Sequence, residues 1–108
     1  MEGLAALHAL DVLREMKPPM QEPPPEIDGA RVVEWASSGD LPFGEVQGSE
    51  SPGIYGLAIA TYDDGRFYRF SCNHKWETQQ DGIYDSIDEA KRLLPDQYRK
   101  VEAQWIRR

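Results

Sequence analysis

Cys72 and His74 stand two residues apart at the end of a strand-like run, a spacing that turns both side chains to one side. A thiol beside an imidazole is a nucleophile beside its base, the couple used in covalent catalysis. Two features argue against that chemistry here. Cys72 continues an apolar face begun by Tyr68 and Phe70, where a thiol behaves as a small hydrophobe. Neighbouring strand positions also rarely supply an approach path and a third, orienting group, and a reactive thiol needs an accessible, activating environment. No catalytic residue is therefore expected. An enzyme or redox sensor using Cys72 is an alternative.

The other ligand-type residues point to no metal and no cofactor. His8, His74 and Cys72 cannot close a zinc site without carboxylates from scattered positions. His8, Asp11 and Glu15 share one helical arc, the pattern of a solvated face. Asp81, Asp85 and Asp88 lack the glycine and terminal glutamate spacing of a calcium loop.

Charge is more telling. The 108 residues hold 19 acids against 12 bases, a formal net charge of -7. Such a chain repels nucleic-acid backbones and anionic membrane surfaces and favours a basic partner. No lysine or arginine lies between Arg31 and Arg66, where Glu34, Asp40, Glu45, Glu50, Asp63 and Asp64 do, whereas Arg99, Lys100, Arg107 and Arg108 come late. If the fold brings the long loop and the hairpin tip to one end, Asp40, Glu45, Glu50, Asp63 and Asp64 steer a protein partner. Phe43 and Tyr55 then anchor it as partly exposed aromatics. The expected function is a non-enzymatic, acidic protein-binding module, an immunity-like or inhibitor protein masking a basic partner. A small-molecule-binding or regulatory domain using the aromatic sheet face is the second alternative.

These residues need a scaffold, and 108 residues make one domain's worth. The single cysteine cannot form an internal disulfide, which fits a reducing compartment. No apolar run approaches the ~20 residues that cross a bilayer. Glu2, His8 and Asp11 spoil a signal peptide, so the expected location is cytoplasmic.

Residues 1–17 read as an amphipathic helix, with Ala6, Ala9, Leu10, Leu13 and Met16 on its apolar arc. Alone it is marginal. It must dock on its own body, pair two copies into a homodimer, or fold on the partner, and the small residues Gly56, Ala58 and Ala60 offer it a seat. Residues 18–26 form a stiff proline-rich linker without the PxxP spacing of SH3 ligands. Met16 and Met20 are alternative translation starts.

The α+β body is expected over residues 27–108. Strands are predicted at 30–36, 54–62, 66–72, 76–84 and 98–106, with a short one near 43–46. The 76–84 strand should break near Asp81-Gly82. Asp64-Gly65 suits a type I′ turn. Ser86 and Glu89 form a capping box for a helix over 87–94, stopped by Pro95. The order β-β-β-β-α-β gives an antiparallel sheet of four to five strands with one helix on a face. Trp35, Leu57, Ile59, Tyr68, Phe70, Ile87, Leu93 and Trp105 are expected in the core.

The body resembles a family of small bacterial proteins of uncharacterised function. The likeness rests on Val33-Glu34-Trp35-Ala36, Gly56-Leu57-Ala58-Ile59, Tyr62 and the aspartate-glycine hairpin. It continues through Phe67-Tyr68, Phe70, Cys72, Trp76 and Ser86…Glu89-Ala90-Lys91. It spans about residues 27–105, and the Asn73-His74-Lys75 turn departs from the family's acidic turn. These are folding residues, so the resemblance implies the fold and no activity.

Overall fold

The computed structural model describes residues 21–108; the expected helix over 1–17 and the start of the linker lie outside them. The described residues form a curled antiparallel sheet with one short helix. Its strands are β1 (Glu26–Ile27), β2 (Ala30–Ser37), β5 (Gly56–Thr61), β6 (Phe67–Cys72), β7 (Thr78–Tyr84) and β8 (Ile106–Arg107). They lie in the order β1-β2-β5-β6-β7, with β8 also on β2. A separate two-stranded ribbon pairs β3 (Gly44–Glu45) with β4 (Gly53–Ile54). Helix α1 (Ile87–Arg92) and a 3₁₀ turn at Asp96–Tyr98 complete the body.

Among the described residues six strands rather than four or five make the main sheet, and the expected last strand pairs only at its end, through Ile106–Arg107. Its alternation is real: Val101, Ala103 and Trp105 are half-buried against the core, and the residues between them are exposed. Those side chains pack without a neighbouring strand, so only Ile106–Arg107 finds a ladder, on β2. The strand β7 starts at Thr78 and runs unbroken through Asp81-Gly82. Its irregularity is instead a bulge opposite Ser71 and Cys72.

The turn chemistry also falls elsewhere. Asp28 (φ 51) and Gly29 (φ 83) join the Ile27–Ala30 pair with positive φ at both central residues, as a type I′ turn requires. At the expected site, Asp63 (φ 62) and Gly65 (φ 83) are left-handed and Asp64 is not. There Asp64 Oδ1 accepts from the Arg66 amide at 3.1 Å, and Thr61 Oγ1 accepts from the Asp63 amide at 2.9 Å. Side-chain oxygens thus shape a longer loop.

Both sheet faces are buried. Leu57 and Ile59 lie under the helix side, where Phe43, Ile54, Leu94 and Tyr98 join the core. Ala58 and Ala60 are fully buried on the other face, packed with Val32, Phe70, Cys72 and Trp76. Trp35 and Tyr68 close over them half-buried, and Trp35 meets Trp76 edge-to-face at 6.0 Å. Ala58 and Ala60 therefore make room for aromatic rings of their own sheet; the helix expected to seat there lies outside the described residues.

Ser86 caps α1 as expected, accepting from the Glu89 amide at 3.0 Å, while Glu89 reaches back to the Asp85 amide at 3.2 Å. Two buried charges on strands flanking Ile59 clamp the helix. Arg69 donates to Ala90 O at 2.5 Å, and Glu34 takes Lys91 at 2.5 Å. The helix stops at Arg92, which turns Leu93 outward at 46% exposure and Leu94 inward at 7%. Trp35, Tyr68, Ile87 and Trp105 are likewise only half-buried. Leu93→Ala is accordingly expected to cost under about 1 kcal/mol and Leu94→Ala about 2–3 kcal/mol. Denaturant melts of the two variants side by side check the order.

Candidate protein-binding surface

Strand register fixes two ends of the sheet. Ser37, Gly56, Cys72 and Thr78 share one end; Arg31, Thr61, Phe67 and Tyr84 share the other. The six residues of β5 separate them by about 20 Å. Asp40 follows β2, and Glu45 and Glu50 belong to the β3–β4 ribbon, all exposed and all at the first end. Asp63 and Asp64 sit at the second. The five acids are thus not one surface. Asp63 is also engaged, with Arg31 at 2.6 Å.

Phe43 does not serve as a surface anchor. It is fully buried, because its amide bonds Ile54 O at 2.7 Å and its carbonyl accepts from the Lys100 amide at 3.0 Å, drawing the loop inward. Gly44 permits that closeness: a Cβ there would lie 1.7 Å from Gln97 O. Tyr55 remains half-buried at the first end, edge-to-face with His74 at 6.0 Å.

The acids of the first end have a continuation that charge counting along the chain missed. Residues 77–89 hold Glu77, Asp81, Asp85, Asp88 and Glu89 without a lysine or arginine; Glu77 precedes Thr78 at the first end and Asp81 lies mid-strand opposite Phe70, whereas Asp85, Asp88 and Glu89 follow Tyr84 at the second. They include β7, the outer strand of the sheet, with Glu77 and Asp81 exposed. Ser49 donates to Gln79 Oε1, tying the Glu50 loop to that strand. Lys75 and Lys100 lie at the same end, the latter bonded through its amide to Phe43, so acids outnumber bases there. The signal was legible as a second base-free run, but its adjacency to Glu50 depends on the fold.

The turn from Asn73 to Glu77 organises this end. Asn73, 3% exposed, accepts on Oδ1 from the amides of Lys75 (2.9 Å) and Glu77 (3.0 Å) and donates from Nδ2 to Glu77 Oε1 (2.8 Å). It holds Trp76 at φ 62, a left-handed conformation unusual for a bulky residue.

Cys72 is fully buried, whereas His74 is exposed. Burial pushes the Cys72 thiol up to about 12. The thiol stays protonated at neutral pH and is out of a reagent's reach, which leaves the Cys–His couple unassembled. The folded chain binds this proton more tightly than the unfolded chain, whose thiol titrates near 9.0. Stability is therefore whole below pH 9 and falls as pH rises from 9 toward 12, by up to ~1.4 kcal/mol per pH unit. Burial raises the Tyr98 hydroxyl as well, with the same sign. Denaturant midpoints taken from neutral to alkaline pH should show the decline, and Cys72→Ala should lessen it.

Among the described residues, no three His, Cys, Asp or Glu side chains gather as a metal site would. No helix there is long and apolar enough to cross a membrane. No protein-family model, curated protein or solved structure matches the chain.

Proposed function

We propose that the protein is a non-enzymatic, acidic protein-binding module that masks a basic partner, in the manner of an immunity or inhibitor protein. The observation that carries the reading is the Ser49–Gln79 bond, which joins the exposed Glu50 loop to the acidic outer strand with Glu77 and Asp81. Asp40 and Glu45 extend this surface, and Tyr55 supplies a partly exposed aromatic within it. Asp63, Asp64 and Phe43 have no part in it.

Acids spread over a loop and an outer strand act mainly on encounter, raising the association rate of a positively charged partner. They also keep the open edge of β7 from pairing with itself, because charge on an edge strand resists sheet-to-sheet addition. Affinity capture from native-host extract tests the reading. The wild-type chain should retain a basic protein that salt elutes, and the Glu50→Lys/Asp81→Lys variant should not. Both positions are exposed, so the double variant stays folded. Equal retention by the two chains overturns the proposal.

A further inference from the structure

The proline-rich run does not leave the body as a spacer. Its described part, Gln21–Pro25, is held against the sheet chiefly through bonds to its backbone carbonyls. Trp76 donates its indole Nε1–H to Gln21 O at 2.7 Å. Arg108 donates from Nη2 to Pro23 O at 2.5 Å and from Nη1 to Pro24 O at 2.8 Å. The Val32 amide adds a bond to Pro25 O at 2.9 Å, and Pro23 is buried. The Arg108 guanidinium also stands 4.0 Å from the Glu22 carboxylate.

This is the chemistry of polyproline recognition. A polyproline II strand has no internal hydrogen bonds, so its carbonyls are free to accept, and it loses little entropy on docking. An indole N–H and an apolar ring surface are the groups that aromatic-lined proline grooves use. Here Trp76, 8% exposed, meets Trp35 edge-to-face and bonds Gln21 O, while Arg108 bonds two successive carbonyls and stands beside the acid before them. None of these contacts depends on the segment being covalently joined to the body. The joining supplies a high local concentration, on the order of millimolar for a short tether.

We propose that the groove between Trp76 and Arg108 is a polyproline-binding site. It takes an acid-flanked proline-rich segment of a partner protein, and Gln21–Pro25 is its built-in competitor. The site is distinct from the acidic surface and stands whether or not that surface binds a basic protein.

The test uses the full chain, with the peptide Lys-Pro-Pro-Met-Gln-Glu-Pro-Pro-Pro-Glu as probe and the Trp76 indole N–H resonance as readout. Pro23→Gly/Pro24→Gly weakens the tethered competitor, as does Glu22→Lys, which changes an exposed residue and leaves the groove intact. Both variants should bind the peptide at least about tenfold more tightly than the wild type, with the Trp76 indole shifting on binding. Adding Arg108→Ala to either should abolish the gain, and a peptide with serine for every proline should not bind. Failure of the peptide to shift the indole in Glu22→Lys overturns the proposal. So does equal affinity for wild type and variants, or a gain that survives loss of Arg108.

Discussion

Replacing Phe43 with alanine should lower the stability of the domain by about 3–5 kcal/mol, the usual cost of emptying a buried phenylalanine site. The whole stability of a domain this size is ~5–15 kcal/mol, so the variant should be partly unfolded in the cold and fully so on mild warming. Phe43 is fully buried beside Ile54, Leu57 and Tyr98, and its backbone bonds both Ile54 and Lys100. Losing the ring therefore loosens the β3–β4 ribbon, the 3₁₀ turn and the segment after it together. Heat or denaturant melts decide the matter. Near-wild-type stability would show that the ring is not a core residue and would return it to the surface.

Asn73→Ala should cost about 2–4 kcal/mol, nearly as much, though it removes no apolar surface to speak of. Two amides, of Lys75 and Glu77, lose their acceptor in a part-buried turn whose centre, Asn73, is 3% exposed. Each such orphaned donor costs ~1–3 kcal/mol. The Glu77 carboxylate loses a donor as well. The left-handed backbone of Trp76 is then held by backbone bonds alone, from the Trp76 amide to Asn73 O and from the Asn73 amide to Glu77 O, and relaxing it withdraws the indole from Gln21. Amide exchange should report this locally, with faster exchange at Lys75, Glu77 and the Trp76 indole before any global change. Asn73→Asp keeps the accepting oxygen but sets a carboxylate where Nδ2 met Glu77 Oε1, so it should recover only part of the loss, and more when Glu77 is replaced by glutamine. If Asn73→Ala melts like the wild type, the turn owes its shape to something other than this side chain.

These two residues also mark the limits of what the sequence discloses. Strand composition located β2, β5 and β6, and Ser86 with Glu89 located the start of α1, because those signals are local. Phe43 lies in a loop flanked by acids, and burial there depends on Gln97 approaching Gly44 from 53 residues away. Asp-Gly occurs at 28–29, 64–65 and 81–82, and only register distinguishes a tight turn from a longer loop and an unbroken strand. Leu93 and Leu94 were interchangeable in the helical pattern until the helix ended at Arg92. Glu34, counted with the acids of the base-free run, is buried and meets Lys91 on α1, and the buried Arg69 bonds Ala90 O there, each more than 20 positions away. The acidic surface followed the same rule. Its residue types were visible, but two of its five expected acids lie at the far end of the sheet, and its outer-strand half was missed.

Contacts with the body also extend to residues before 27. Arg108 and Trp76 hold Gln21–Pro25 against the sheet. Removing residues 1–25 would take these contacts away, whereas removing residues 1–20 would leave them in place.

The association rate of the captured partner measures the central claim most directly, compared between the wild-type chain and Glu50→Lys/Asp81→Lys at low and at physiological ionic strength. The acidic surface predicts a rate about tenfold lower for the variant at low salt and a flattened salt dependence. Glu102→Lys, an exposed reversal outside that surface, should change the rate far less. Equal rates and equal salt dependence for wild type and double variant would contradict it.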